Sequence, residues 1–97
     1  MATKELPKKE ATLYKSILKM YESKLFKRGL KTSDAILKKF PEHGETLTIK
    51  GLLLNHLNRK EEGYELARKG LKLNMTSSAS WHIFGIMNRM IEIMKRL

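Results

Sequence analysis

Residues 47–52 read Leu-Thr-Ile-Lys-Gly-Leu, and residues 81–86, which lie 34 positions further along the chain, read Trp-His-Ile-Phe-Gly-Ile. Both stretches place a large apolar residue, a glycine and a second apolar residue at the same offsets. The same interval separates Gly29 from Gly63 and Leu37 from Leu71. A fixed interval of this kind is the signature of a repeat architecture, in which one small structural unit recurs along the chain. The sequence therefore predicts stacked units and not an irregular bundle.

Each unit is predicted to consist of helices. Apolar residues recur at steps of three and four along five stretches of the chain, and the composition favours helix over strand because Leu, Lys, Glu, Met and Ile dominate while valine is absent. Pro7 can start the first helix, Pro41 ends the second, and residues 74–77 form a loop with a capping serine or threonine. An interval of 34 residues per helix pair is the tetratricopeptide period. We predict an all-α fold, a short tetratricopeptide-like α-solenoid of antiparallel helix pairs with about five helices.

The predicted organisation is a lead over 1–7, a helix pair over 8–41, a second pair over 42–75 and an unpaired terminal helix over 76–97. Within a helix each glycine costs about 1 kcal/mol relative to alanine. We therefore expect the repeated glycines to lie where paired helices approach closely, so that Gly51→Leu is disruptive and Gly51→Ala mild. Trp81 is expected in the core, and Gly44 is interpreted as a turn glycine. The structural repeat positions are Gly29, Pro41, Leu47, Gly51, Gly63, Trp81 and Gly85.

The composition argues against several classes of function. The chain has 97 residues and no cysteine, so it has no disulfide, thiol nucleophile or zinc–thiolate site. His43, His56 and His82 lack the spacing of a metal site, and no catalytic triad, phosphate loop or paired-carboxylate motif is recognisable. No signal-peptide core or apolar run of membrane-spanning length is present. We expect no catalytic residues, no cofactor, no metal and no membrane association, and a cytoplasmic location.

Positive charge is concentrated in the N-terminal part of the chain. The net charge is +10, and residues 1–39 contain eleven Lys or Arg against four Asp or Glu. Such an excess favours a polyanionic partner, either RNA or an acidic protein surface. Tyr14, Tyr21 and Phe26 occupy apolar helical positions, so we expect contact with the phosphate backbone and not base stacking. An ordinary solvated surface is the alternative interpretation.

Helical spacing groups these cations on two faces. Three of them share one face of the first helix, and four share a face of the second helix with Lys27 beside them. The residues predicted to contact RNA phosphates are Lys8, Lys15, Lys19, Lys24, Lys27, Arg28, Lys31 and Lys38.

Residues 6–10, 40–51, 60–62 and 81–82 carry a more specific likeness. Over roughly residues 6–89 the chain resembles the extreme N-terminus of the large auxiliary subunit of the N-terminal acetyltransferase A complex. The resemblance implies a long helical solenoid that wraps a separate catalytic subunit, mostly through later repeats that are absent here, and docks it on the ribosome. It also implies that the basic N-terminal helices contact ribosomal RNA. The expected function is a non-catalytic scaffold, and the alternative is a tetratricopeptide adaptor that binds a peptide in its groove.

The likeness ends at Arg89. Codons for residues 90–97 can be chosen so that a shifted frame encodes Asp-Arg-Asn-Tyr-Glu-Glu-Ala, which is similar to the start of the family's next helix. We therefore predict that residues 90–97 arise from a lost nucleotide or a mis-set reading frame, with a natural short isoform or a divergent helix as the alternatives. An unpaired last helix should also leave an apolar patch around Ile86, Ile91 and Ile93, which favours self-association.

Overall fold

The computed structural model describes residues 6–96, apart from the side chain at position 94. Residues 1–5 of the predicted lead and Leu97 at the end of the predicted last helix lie outside this range. No residue between 6 and 96 lies in a β-strand. The prediction of an all-α fold with five helices is confirmed. The helices are α1 (Lys8–Glu22), α2 (Phe26–Lys39), α3 (Gly44–His56), α4 (Lys60–Leu73) and α5 (Ser78–Arg96).

The helices pack as antiparallel pairs around α3. The α1 helix packs on α2 and α3 packs on α4, while α3 also contacts α2 and α5. Ten of the thirteen residues of α3 are buried. A helix that is apolar on every side is stable only when neighbouring helices cover all of it. Leu52, Leu53 and Leu54 point in three different directions around α3, and all three are buried because α2, α4 and α5 pack against this helix. The buried core consists of Ile17, Ile36, Ile49, Leu52, Leu53, Ala67, Ile83 and Met87.

Two side-chain caps set the starts of α3 and α5. His43 is the N-cap of α3, and its Nδ1 accepts a hydrogen bond from the Thr46 amide at 3.3 Å. The Ser77 hydroxyl oxygen accepts from the Ser80 amide at 3.1 Å, which confirms the predicted capping serine before α5. The same hydroxyl donates to the Glu45 carboxylate at 2.5 Å. This second bond ties the start of α5 to the first turn of α3.

Glycines bring α3 and α4 into backbone contact. A Cβ atom added to Gly51 would lie 2.9 Å from the Ala67 Cβ and even closer to the Gly63 carbonyl oxygen. A second crossing joins Gly44 and Gly70, because a Cβ on Gly44 would lie 2.6 Å from the Gly70 carbonyl oxygen. The prediction that Gly44 is a turn glycine is therefore incomplete, because Gly44 is buried in the interface between α3 and α4. Each helix carries its two glycines seven residues apart, so both crossings fall on one face.

The other repeat glycines have different surroundings. A Cβ on Gly29 would meet the Leu53 side chain of α3 at 3.2 Å, whereas the nearest α1 atom is the Met20 Cβ at 3.7 Å. The α1 helix has Ile17 at the position where α3 has Gly51, and this larger side chain keeps α1 further from α2. A Cβ on Gly85 would meet nothing within 4 Å. The expectation that every repeat glycine marks a close approach within its own pair is therefore wrong for Gly29 and Gly85.

Trp81 lies outside the core, contrary to the prediction. Its side chain is 49% exposed, and the indole Nε1 donates to the Met75 carbonyl oxygen at 2.8 Å. Leu47, at the same repeat position on α3, is only 4% exposed. The physical reason for the difference is that no helix within residues 6–96 covers the corresponding side of α5.

The apolar patch predicted on α5 is exposed only in part. Ile86 and Ile91 are half-buried and pack against the core, because they lie towards the side of α5 that faces α3 and α4. Of the three isoleucines predicted to form the patch, only Ile93 is exposed.

Two half-buried histidines, His43 and His56, have pKa values that are lowered by burial. The His56 ring stacks on Phe26 with a centroid distance of 4.4 Å, and its Nε2 lies 3.2 Å from the Tyr21 hydroxyl. Burial lowers the pKa of His56, and burial also lowers the pKa of His43, against a smaller opposing effect of Glu45. Protonation of His43 would additionally remove the lone pair that caps α3.

We expect the melting temperature to fall as the pH is lowered below about 6.5, the ordinary pKa of histidine in an unfolded chain. Because the folded pKa values are lower, the unfolded chain binds more protons in this range, and the stability present above pH 6.5 is lost as the pH falls towards the folded values. Thermal unfolding followed by circular dichroism at several pH values measures this. His43→Asn with His56→Phe should flatten the profile between pH 6.5 and 5.5, while the change His82→Asn at an exposed position should not. An unchanged profile in the double variant would contradict the assignment.

Candidate nucleic-acid interface

The eight predicted cations form one candidate interface, here called the basic surface: Lys8, Lys15, Lys19, Lys24, Lys27, Arg28, Lys31 and Lys38. All eight are exposed. On α1 the three lysines lie on the side of the helix opposite the buried residues Glu10 and Ile17. On α2 the lysines lie opposite the buried Ile36, and Arg28 is about a quarter-turn away from them. The outward sides of two adjacent helices therefore carry the charge.

Lys24 lies in the turn between the helices and not on the face of α2, which begins at Phe26. Its backbone adopts a left-handed conformation with φ of 62°. The Leu25 amide, next in the chain, donates to the Met20 carbonyl at 2.8 Å, as in other helix ends closed by a left-handed residue. Asn58 has φ of 67° at the position 34 residues further on. Asparagine tolerates this conformation, so Asn58 indicates a turn in its own repeat. Counting back 34 residues from Asn58 would have predicted the equivalent turn at Lys24.

Two carboxylates of α1 and α2 pair with cations outside the basic surface, whereas the exposed Glu22 lies on the same side of α1 as Lys15 and Lys19. Glu10 is only 5% exposed and lies 3.7 Å from the Lys39 ammonium. Asp34 is 2.6 Å from Lys50 of α3, so it does not neutralise its neighbours on α2. Within the part of the chain that the structure describes, none of the eight cations has a carboxylate within 4.0 Å. The positive charge of the surface is thus left to act on an external anion.

The aromatic residues of α1 and α2 pack inward. Burial, with a smaller effect of Glu45, raises the pKa of Tyr14 to about 12. Its ring contacts His43 edge-on at a centroid distance of 6.2 Å. Tyr21 lies 5.9 Å from Phe26 and 5.2 Å from His56, again between ring centroids. These rings hold α1, α2 and α3 together, and the surface therefore offers cations without a stacking platform.

Other kinds of site find no support in the described residues. Across residues 6–96 no group of three or more His, Asp or Glu side chains is placed to hold a metal ion. None of the helices α1 to α5 combines the length and the apolar character needed to cross a membrane. An open groove between α2 and α4 has a floor of Leu30, Leu54 and Leu66, and charges of both signs surround it. The basic surface is therefore the strongest candidate site.

Helix pairs at a 34-residue interval, with cations on the outer side of the first pair, define a helical-repeat protein of the tetratricopeptide type. No family model matches the chain. The "N-terminal acetyltransferase A complex auxiliary subunit NAA15" of Arabidopsis thaliana is 57% identical over 84 residues, which cover 87% of this chain and 9% of that protein. "N-alpha-acetyltransferase 16, NatA auxiliary subunit" of Homo sapiens is 54% identical over 86 residues, which cover 87% of this chain. The protein of the same name from Mus musculus is 51% identical over 87 residues, which cover 88% of this chain. Either match covers 10% of the relative.

A solved structure agrees with these relatives. A chain in the structure of Naa15/Naa10 bound to HypK-THB superposes with a TM-score of 0.83 at 42% identity, and the match covers 87% of this chain and 13% of that chain. Over the matched part, the chain belongs to the family of NatA auxiliary subunits. The resemblance seen in the sequence is confirmed. The chain spans about a tenth of the length of the curated relatives that it matches.

Proposed function

We propose that the chain is a non-catalytic scaffold segment of a NatA-type auxiliary subunit, and that its α1 and α2 contact ribosomal RNA through phosphates. The basic surface is the observation that carries the RNA contact, because eight exposed cations lie on two adjacent helices and their turn without carboxylate partners among the described residues. The relatives are named auxiliary subunits, and one structure pairs Naa15 with Naa10. These names support a catalytic subunit on a separate chain. In our proposal that subunit binds through other repeats, and the complex acts in the cytoplasm.

The chemistry of the surface favours recognition of charge over recognition of sequence. Lysine ammonium groups bind phosphates as point charges and read no base edges. Binding would release the counterions condensed on the RNA, so affinity would come mainly from this entropy and would depend strongly on salt. With the rings of Tyr14, Tyr21 and Phe26 turned inward, discrimination between RNA sequences should be small. Structured RNA of any sequence is therefore a suitable probe.

We expect the logarithm of the affinity for an RNA hairpin to fall linearly with the logarithm of the salt concentration. Each phosphate contacted should contribute roughly 0.7 to 0.9 to the slope. Fluorescence anisotropy of a labelled hairpin in a series of KCl concentrations measures this for the 97-residue chain. Polyglutamate serves as the competitor for an acidic protein surface. Two results would contradict an interface directed at phosphates. One is an affinity that does not change with salt concentration, and the other is displacement of the RNA by polyglutamate at a carboxylate concentration equal to the phosphate concentration of the RNA.

A further inference from the structure

Two exposed hydroxyl groups lie within the basic surface. Among the Ser, Thr and Tyr residues between positions 6 and 96, the exposed ones are Thr12, Ser23, Thr76 and Ser78. Thr12 belongs to α1, and Ser23 lies in the turn that follows it. Thr12 lies on the same side of α1 as Lys8, Lys15 and Lys19, within about 60° of each of them around the helix. A charged group added to Thr12 would therefore lie among the cations proposed to contact RNA.

The Thr12 side chain is bonded only to its own helix. Its Oγ1 donates to the Lys8 carbonyl oxygen at 2.9 Å, a common arrangement for threonine inside a helix. Lys8 lies four residues before Thr12 and Lys15 three residues after it, so both ammonium groups can reach a charge at position 12. Within the described residues neither lysine has a carboxylate within 4.0 Å. Two cations without carboxylate partners thus flank this hydroxyl.

The residues before Thr12 match the charge pattern that one class of protein kinase recognises. Residues 8–13 read Lys-Lys-Glu-Ala-Thr-Leu, with lysines three and four positions before the threonine and an apolar residue after it. Kinases of the basophilic class select substrates by cations at fixed offsets before the acceptor hydroxyl. Ser23 has a single lysine four positions before it and Glu22 immediately before it. Of the exposed hydroxyls, Thr12 therefore has the best match.

The first turns of α1 are held by few buried contacts. The N-cap is Pro7, which supplies no side-chain hydrogen bond to the helix. Of the fifteen residues of α1 only Glu10 and Ile17 are buried, and the helix packs mainly on α2. A segment with so few buried contacts opens locally at a small free energy. Local opening would let residues 8–13 enter a kinase cleft as an extended peptide.

We propose that Thr12 is a phosphorylation site for a basophilic protein kinase, and that the phosphate weakens the RNA contact of the basic surface. The Thr12 Oγ1 loses its proton and bonds to the γ-phosphorus of ATP, while the bond from that phosphorus to the bridging oxygen breaks and ADP leaves. The phosphothreonine carries a charge of about −1.5 to −2 at neutral pH and pairs with Lys8 and Lys15 in place of RNA phosphates. The effect on RNA rests on the function proposed above, whereas the site itself does not.

The expected loss of affinity follows from the number of lysines that are neutralised. Pairing of Lys8 and Lys15 with the phosphothreonine removes two contacts to RNA, each worth roughly a factor of 4–5 at physiological salt. We expect the phosphorylated chain to bind an RNA hairpin about 20-fold more weakly, with a salt slope shallower by about 1.5. Phosphothreonine at position 76 is the matched control, because Thr76 is exposed outside the basic surface and the added charge is the same. The control should lose about threefold or less.

Phosphate mapping tests the site. The 97-residue chain is incubated with ATP and the catalytic subunit of cAMP-dependent protein kinase, a basophilic enzyme, and the phosphate is located by mass spectrometry. We expect phosphate on Thr12, and Lys8→Ala with Lys9→Ala should slow its incorporation about tenfold or more. The control Lys69→Ala with Lys72→Ala removes the same charge and should leave the rate unchanged. No phosphate on Thr12, or equal rates for the two double variants, would overturn the site.

RNA binding tests the effect of the phosphate. Chains synthesised with phosphothreonine at position 12 or at position 76 are compared with the unmodified chain by anisotropy of a labelled RNA hairpin. Equal affinities for the two phosphorylated chains would overturn the proposed weakening. Circular dichroism at 222 nm should show the same helix content in all three chains, and a loss of helix that parallels the loss of affinity would overturn the pairing with lysines. An unmodified chain that does not bind the hairpin would instead contradict the proposed function, and phosphate mapped to Thr12 would still establish the site.

Discussion

Replacing Gly51 with alanine should lower the melting temperature by roughly 5–15 °C, which corresponds to a net loss of about 1–2 kcal/mol in a domain of this size. The added Cβ would meet the Gly63 carbonyl and would lie 2.9 Å from the Ala67 Cβ and amide nitrogen. These are backbone and near-backbone atoms of α4, so the contact is relieved only if the two helices separate. The better helix propensity of alanine, worth about 1 kcal/mol, offsets only part of this cost. The sequence-based expectation that Gly51→Ala is mild is therefore revised.

Gly85→Ala is the matched control, because Gly85 occupies the same repeat position on α5. With nothing within 4 Å of the new Cβ, alanine should raise the stability by up to about 1 kcal/mol through helix propensity alone. Gly51→Leu should cost about 3 kcal/mol or more, since four heavy atoms would then press on α4. Thermal and urea unfolding monitored at 222 nm measure all three. A Gly51→Ala variant that melts at or above the parent temperature would show that α3 and α4 are not in backbone contact.

The helices could be predicted because several independent local signals agree in this chain. The apolar spacing, Pro7 and Pro41 at helix boundaries and the serine before α5 all indicate the same five segments, and such agreement between levels specifies a fold. The repeat interval then pairs the segments. The expectation of a close approach at Gly51 agrees with the structure, which places Gly51 against Gly63 of α4.

Burial could not be predicted from the repeat interval. Leu47 and Trp81 occupy equivalent positions, yet the first is buried and the second is half-exposed, because α4 covers α3 and nothing in residues 6–96 covers the outer face of α5. A repeat fixes where a residue lies on its helix, whereas its neighbours decide whether it is buried. The contact between Gly44 and Gly70 was missed for a different reason. Their seven-residue spacing from Gly51 and Gly63 is visible in the sequence, but Gly44 also fits a turn.

The excess of Lys and Arg in the basic surface could be predicted from the sequence, but the positions of these side chains on the helices could be predicted only in part. Helical spacing predicts that Lys24, Arg28, Lys31 and Lys38 share a face with Lys27 beside it. On α2 the shared side consists instead of Lys27, Lys31 and Lys38, with Arg28 about a quarter-turn away. Lys24 lies in the left-handed turn before the helix. The ion pair between Asp34 of α2 and Lys50 of α3 could not be predicted either. Cross-helix ion pairs of this kind depend on the packing of α2 against α3 and have no local signal.

Reversing the charge of Lys27, Lys31 and Lys38 should reduce the affinity for structured RNA by about 100-fold or more at physiological salt. The three lysines lie within about 40° of one another around α2, so one RNA backbone can contact all of them. Each phosphate contact contributes roughly a factor of 4–5 at this ionic strength through counterion release, and glutamates add repulsion. The slope of log affinity against log salt should also become shallower by about 2 to 3.

The control is the triple change of Lys69, Lys72 and Lys95 to glutamate. These three lysines are also exposed, and both variants lower the net charge from +10 by the same amount. If RNA were attracted only by the total charge of the chain, both variants would lose the same affinity. If RNA contacts the lysines on α2, the variant of Lys27, Lys31 and Lys38 should lose much more affinity than the control. Helix content and melting temperature should stay close to the parent values in both, because none of the six lysines has a carboxylate within 4.0 Å in the described residues. Equal losses would reduce the basic surface to an ordinary solvated face, and an unchanged salt slope in the first variant would show that its lysines do not contact phosphate.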